Sequence, residues 1–205
     1  MAAKSIDIAF TLNGRKVKTQ IAPDAMLFSL LRDEGCSSVR CGCETTNCGL
    51  CTVWLDGAPV LSCSVPAARV DGREVTTLEG LRAESEPLAR AMAAEGAEQC
   101  GFCSPGLIMS VVALARAAKK DPSLVATREE LSRQIAGNLC RCSGYESQLR
   151  AIVRYLRGEG VEVGFDVPET PANDTSADGV SYRQITRKQP KKDSKALLEG
   201  RPVYT

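Results

Sequence analysis

The sequence predicts an α+β protein: a small sheet-and-helix domain over residues 1–80, a four-helix domain over 81–164 and an extended arm over 165–205. Three observations carry this reading. Two hairpin signals lie in the first third, the hydrophobic spacing turns helical after residue 80, and cysteine collects in two separated groups while histidine is absent. A chain of 205 residues, 43% hydrophobic and 25% charged, is long enough for two small cores.

In the first domain Ile6, Ile8, Phe10 and Leu12 alternate with other residues up to Asn13-Gly14, and Val17 to Ile21 follow. Asn-Gly tolerates the positive φ of a type I′ turn, so this is a β-hairpin. Asp24 precedes Met26, Leu27, Leu30 and Leu31, which share one helical face before Gly35 stops the helix. A second hairpin spans Thr52 to Leu55 and Val60 to Cys63 around Asp56-Gly57. Two hairpins with a helix between them suggest the β-grasp kind of domain.

Four helices are predicted in the second domain. One runs from Leu88 to Glu95 and stops at Gly96; the next runs from Pro105 to Lys120, with proline near its first turn and lysines at its end. Thr127 with Glu130, and Ser143 with Glu146, have the capping-box spacing and open helices over 128–136 and 145–157. Gly137 and Gly158 stand where C-terminal caps belong. Beyond Gly164, Pro168, Pro171 and Pro190 lie among Asn, Asp, Ser and Thr, and seven Lys or Arg face two acidic residues from Val180 onward. Phe165, Ile185, Leu197, Leu198 and Tyr204 are too few to bury a core, so the arm alone is expected to be disordered.

A net charge of +1 gives no global pull toward nucleic acid or anionic membrane. No apolar run reaches the roughly 18 residues of a membrane span, and Met1 to Phe10 alternates where a signal peptide would be continuously apolar, so the expectation is a cytoplasmic protein. Without histidine there is no Cys/His zinc finger, Rieske centre, His-ligated haem or His-dependent triad. Ten cysteines in a chain without an export signal point to thiolate metal ligation more than to disulfides.

Cys43-x4-Cys48-x2-Cys51, followed by Cys63, is the plant-type [2Fe–2S] spacing. A short loop must wrap such a cluster and aim backbone N–H groups at its sulfur, and Gly42 and Gly49 permit the close approach. The competing reading is a four-cysteine zinc site, which would use two Cys-x2-Cys knuckles where this half has one. Cys36 and Cys41 are left over, as small packing residues or an alternative ligand. Cys100-x2-Cys103 and Cys140-x-Cys142 form a second set of four. Both pairs lie just before predicted helices, whose N-terminal partial charge suits an anionic cluster.

Four segments in order, Cys41-Gly-Cys-Glu-Thr-Thr-Asn-Cys-Gly-Leu-Cys-Thr-Val53, Leu61-Ser-Cys63, Gln99-Cys-Gly-Phe-Cys-Ser-Pro-Gly106 and Asn138-Leu-Cys-Arg-Cys-Ser-Gly-Tyr145, resemble the iron–sulfur subunit of molybdenum hydroxylases, the xanthine dehydrogenase family. The resemblance covers roughly residues 4–160. It implies a ferredoxin-like β-grasp domain with one [2Fe–2S] cluster, a helical domain with the other, a large partner subunit carrying a molybdenum-pterin cofactor and a medium subunit carrying FAD. It implies that Gln99 and Cys142 lie closest to the pterin, Gln99 as a hydrogen-bonding amide and Cys142 as the ligand between cluster and pterin. Electrons would pass from molybdenum to the helical-domain cluster, then to the ferredoxin-like one. The wording Ser38-Val-Arg-Cys-Gly-Cys-Glu points toward xanthine or another purine as substrate, with an aldehyde or another heterocycle as the alternative.

The departure from the family is the tail, since its small subunits commonly end near residue 160. Lys192 to Thr205 resembles the opening of the molybdenum-binding subunit, so the arm is either part of a late subunit split or longer fused chain, lying across a partner, or a basic disordered extension. Competing functions are a free-standing two-cluster ferredoxin and a zinc-stabilised interaction module.

Overall fold

Apolar alternation builds the first hairpin. β1 (Ile6–Leu12) and β2 (Arg15–Ile21) pair antiparallel with Phe10 opposite Val17. Asn13 and Gly14 take φ values of 51° and 79°, both positive as a type I′ turn requires. β3 (Thr52–Leu55) and β4 (Ala58–Leu61) repeat the device around Asp56 and Gly57. The structure, a computed structural model, describes residues 5–168 and 191–201; the arm's residues 169–190 and 202–205, with Ile185 and Tyr204, lie outside them.

A strand the sequence spacing does not announce joins the hairpins. β5 (Glu74–Thr76) lies parallel to β1 and antiparallel to β3, giving one sheet of order β2-β1-β5-β3-β4. Three residues are too short to display a period of two, yet Val75 is fully buried at the sheet centre. α1 (Leu27–Asp33) puts Leu27, Leu30 and Leu31 into the core with Ile8, Phe10, Val53 and Val75. Its N-cap is Met26, which is held in a β-bridge to Pro66 and so stands before the helix instead of on its face.

The second core gathers α2 (Leu78–Glu95), α3 (Ser104–Ala118), α4 (Arg128–Ile135) and α5 (Tyr145–Gly158). α2 begins at Leu78, well before the expected Leu88. Pro87 does not break it, because Pro87 sits on the exposed face, where the lost bond costs least, while Leu78, Leu81, Leu88 and Met92 are buried along the other. The Thr127–Glu130 capping box forms as expected, the Thr127 N–H donating to Glu130 Oε2 at 2.9 Å and the Glu130 N–H to Thr127 Oγ1 at 3.2 Å. The second box does not. Ser143 turns left-handed at φ 58°, closing a turn onto the Cys140 carbonyl, Gly144 becomes the N-cap, and Glu146 pairs with Arg128 instead. Gly137 and Gly158 are not left-handed caps either: Ala136 and Glu159 close those helices, and Gly160 takes the positive φ.

Trp54 locks the two cores together. It leaves β3 to sit in the helical core, its indole N–H donates to the Met109 carbonyl at 3.0 Å, and the Arg116 guanidinium stands 4.4 Å over its ring. The arm's described end is a further difference from the sequence reading. Residues 194–198 form a short helix, α6 (Ser194–Leu198), and Leu197 and Leu198 are buried against the chain's own surface. The pair of adjacent leucines has an apolar seat between α2 and α3, which a solvated extended arm would forgo. Among the described residues no helix is long and apolar enough to cross a membrane.

Candidate metal centres

The loop between α1 and β3 carries the first set of thiols. Gly35 ends α1 at φ 84°, and the chain then folds back so that the Arg40 N–H donates to the Leu50 carbonyl at 3.3 Å. A Cβ on Gly42 would stand 2.6 Å from Leu50 Cδ2 and 3.3 Å from Cys48 Sγ, so glycine is required by the close approach. Gly49 is required twice over, by φ 71° and because a Cβ would run into the Gly137 carbonyl and stand 2.6 Å from Asn138 Nδ2. The Thr52 hydroxyl donates to the Gly49 carbonyl at 2.7 Å and the Ser62 hydroxyl to the Cys51 carbonyl at 2.8 Å, which fixes the ends of the loop.

The thiols meet in pairs. Cys43 lies beside Cys48 and Cys51 beside Cys63, and the Cys63 thiol also feels Cys43 and Cys48. In the second set, Cys103 pairs with Cys140 and Cys100 with Cys142. Cys103 is the N-cap of α3, and Cys140 and Cys142 immediately precede α5. A two-plus-two arrangement matches a binuclear cluster, where each iron takes two thiolates. Among the described residues no three His, Cys, Asp or Glu side chains are set to hold one metal ion.

The electrostatics suit a thiolate-bound cation. N–H groups of Thr45 and Asn47, with the Cys48 thiol, hold Cys43 down to about 6. Burial, with the Cys51 thiol beside it, pushes Cys63 up to about 12. Burial likewise pushes Cys103 to about 12, with the charges of Cys140 and Cys100 adding to it. At Cys140 burial works the other way from N–H groups of Gly144, Cys142 and Ser143, which win and lower it. Cys63 and Cys103, buried beside neighbouring thiols, resist ionisation, and a coordinated cation would favour their thiolates. The inward N–H groups are the donors a cluster's sulfur accepts from.

The leftover cysteines separate. Cys36 lies in the first core, and burial raises its thiol to about 11. Cys41 is exposed, with Sγ 3.2 Å from the Cys43 carbonyl. Gln99 is exposed, and its amide nitrogen lies 3.5 Å from where a Cβ on Gly144 would stand, two residues past Cys142. The structure therefore brings Gln99 into the neighbourhood of the Cys100–Cys142 pair.

Two residues missed in the sequence join this site. Gln148 is 1% exposed and donates from Nε2 to Cys103 Sγ at 3.7 Å; a lone amide on the buried face of α5 was the available signal. Arg40, 6% exposed, reaches from the first loop to the Gly101 and Phe102 carbonyls at 2.6 and 3.0 Å, and nothing in its spacing marks it. The two loops also touch directly: the Leu139 N–H donates to the Cys48 carbonyl at 2.9 Å, and Asn138 Nδ2 to the Gly49 carbonyl at 3.2 Å. Between them a cavity of about 540 Å³ is lined by Cys43, Cys48, Cys100, Cys103 and Cys140, with Phe102, Leu139 and Tyr145 partly exposed at its walls.

A β-grasp sheet and a helical bundle, each carrying a set of four cysteines, with Cys43 and Cys48 of one set and Cys100, Cys103 and Cys140 of the other lining a shared junction, define an iron–sulfur electron-transfer protein. Residues 77–153 match the [2Fe-2S] binding domain family. The chain is 40% identical over 154 residues to the xanthine dehydrogenase iron-sulfur-binding subunit of Escherichia coli O157:H7, covering 74% of this chain and 94% of that one. Quinoline 2-oxidoreductase from Pseudomonas putida 86 superposes with a TM-score of 0.66 at 31% identity, over 76% of this chain and 96% of the neighbour. Aldehyde oxidoreductase from Desulfovibrio gigas superposes with a TM-score of 0.72 at 29% identity over 97% of this chain, which spans 21% of that longer chain. The chain belongs to the iron–sulfur subunits of the molybdenum hydroxylases.

Proposed function

We propose that Cys100, Cys103, Cys140 and Cys142 hold the cluster that receives electrons one at a time from a molybdenum-pterin site on a large partner subunit, and that Cys43, Cys48, Cys51 and Cys63 hold the cluster that passes them on to FAD on a medium subunit or to another acceptor. The observation that supports a relay between the two sets is the contact of the two loops through Leu139 and Cys48, which gives a short bonded route from one thiol set to the other, while the order rests on the placing of Gln99 beside the Cys100–Cys142 pair. Gln99 and Cys142 then face the pterin, Gln99 as a hydrogen-bonding amide. The clusters supply one-electron redox chemistry when bound; the chain's own residues hold them, shield them and aim N–H groups at their sulfur.

Xanthine or another purine is the substrate class read from the Escherichia coli relative, and the aldehyde and quinoline neighbours stand for the alternative. Substrate contacts belong to the partner, which is why relatives of one fold carry different names. A cytoplasmic setting, where thiols stay reduced, goes with this reading. The test is rapid-freeze paramagnetic resonance of the complex mixed with substrate. Cys103→Ser should leave molybdenum reducible and block reduction of the Cys43 cluster; reduction of that cluster at its normal rate overturns the order.

A further inference from the structure

The peptide between Gly101 and Phe102 faces two ways. Its carbonyl oxygen accepts from Arg40 Nη1 at 2.6 Å, and its N–H, on the opposite edge of the same planar unit, donates to Cys100 Sγ at 3.5 Å. Arg40 also binds the Phe102 carbonyl at 3.0 Å, and its guanidinium lies 5.2 Å from the Phe102 ring centroid. The cation therefore reads the loop by two carbonyls and a ring. The docked tail secures the same loop. Leu197, fully buried, packs so closely on Gly101 that a Cβ there would stand 2.7 Å from Leu197 Cβ, and Gly101 holds φ 72°. Lys191 Nζ donates to the Gln99 carbonyl at 2.9 Å, which belongs to the peptide whose nitrogen is that of Cys100.

Hydrogen bonds to sulfur, net charge and solvent exposure set the potential of an iron–sulfur cluster, because the reduced form carries the extra negative charge. A buried cation that polarises a peptide whose N–H points at a ligand sulfur supplies the first two together. We propose that Arg40, with Leu197 of the tail packed on Gly101, is a positioning residue that aims the Gly101–Phe102 peptide at the Cys100 sulfur and so raises the reduction potential of the cluster held by Cys100, Cys103, Cys140 and Cys142. This rests on the assignment of that cluster. Arg40 belongs by sequence to the loop of the other cluster, so one side chain tunes the first acceptor from the domain of the second.

The test is a redox titration of the intact complex with dithionite, read by paramagnetic resonance. One electron from dithionite converts a diferric cluster to the mixed-valence form, with no bond made or broken. In Arg40→Met the reduced-to-oxidised ratio of the second cluster at fixed ambient potential should fall about tenfold, or 59 mV for a one-electron couple, while the first cluster stays where it was. Arg40→Lys, which keeps the charge but not the fork, should give a smaller fall in the same direction. Hydrogen exchange at 99–103 should quicken in the order wild type, Arg40→Lys, Arg40→Met. If Arg40→Met does not accumulate, Arg40→Lys decides. Two normal signals with the second cluster's midpoint unmoved overturn the proposal, whereas a wild-type complex lacking the second signal overturns the cluster assignment beneath it.

Discussion

The backbone N–H of Leu139 donates to the carbonyl of Cys48 across 2.9 Å, joining the residue before Cys140 to a thiol-bearing residue of the other loop. Gly49 and Gly106 extend the seam, since a Cβ on Gly106 would meet the Gly49 carbonyl and come within 2.9 Å of Leu50 Cα. The two domains thus meet at their cysteine loops, with Trp54 and Arg40 bridging on either side of the chain order.

Gly49→Ala tests the seam. The substitution must adopt φ 71° and also displace the Gly137 carbonyl and Asn138, so it is expected to cost about 2–4 kcal/mol of stability, more than strain alone. The urea midpoint should fall. Gly14→Ala, with φ 79° and nothing within 4 Å, carries the strain without the clash and is expected to cost about 1 kcal/mol. Equal losses in the two variants would contradict the close packing of the loops.

Glu79, in the first turn of α2, holds the approach to the first cysteine loop. Its carboxylate accepts from the Ser38 N–H at 2.8 Å, the Ser38 hydroxyl at 2.6 Å and the Thr77 hydroxyl at 2.5 Å. Burial pushes its pKa up, but these donors win and hold it below the ordinary 4.5. A depressed folded-state value means the stabilisation is present above about pH 4.5 and is lost as pH falls below it toward the folded value. Glu79→Gln should remove about 1–3 kcal/mol at neutral pH and flatten this acid limb. An unchanged limb between pH 5 and pH 3, read by chemical denaturation at about those values, would assign the acid sensitivity elsewhere.

The docked tail makes its own prediction. Burial of Leu197 and Leu198 is opposed by the ordering of the segment, about 1–2 kcal/mol per residue for the backbone, so the net docking energy is small. Leu197→Ser should release it, raising tryptic cleavage after Lys195 several-fold with little change in global stability. Cleavage at the wild-type rate would mean that the segment is not held by these leucines.

Much of this was legible because it was local. Asn13-Gly14 and Asp56-Gly57 dictate hairpins by their φ preferences alone, Thr127 and Glu130 dictate a helix start, and the cysteine spacings separate the thiols into the two sets that the fold gathers. What escaped depends on tertiary burial. Pro87 hides the first half of α2, whose register is fixed by Leu78 and Leu81 in a core built from distant segments. Ser143 and Glu146 have capping-box spacing but are claimed by the Cys140 turn and by Arg128. The side chains of Arg40 and Gln148 reach partners 61 and 45 residues away, a separation no local pattern records.

The measurement that reaches the central claim most directly is paramagnetic resonance of the dithionite-reduced protein, with iron and sulfide quantified in the same samples. The wild type should show two distinct [2Fe–2S] signals. Cys48→Ser should remove or severely perturb one, Cys103→Ser the other, and Cys36→Ala, a change inside the first core, should leave both in place. A single signal in the wild type, or loss of a signal in Cys36→Ala, would contradict two clusters held by these two sets of thiols.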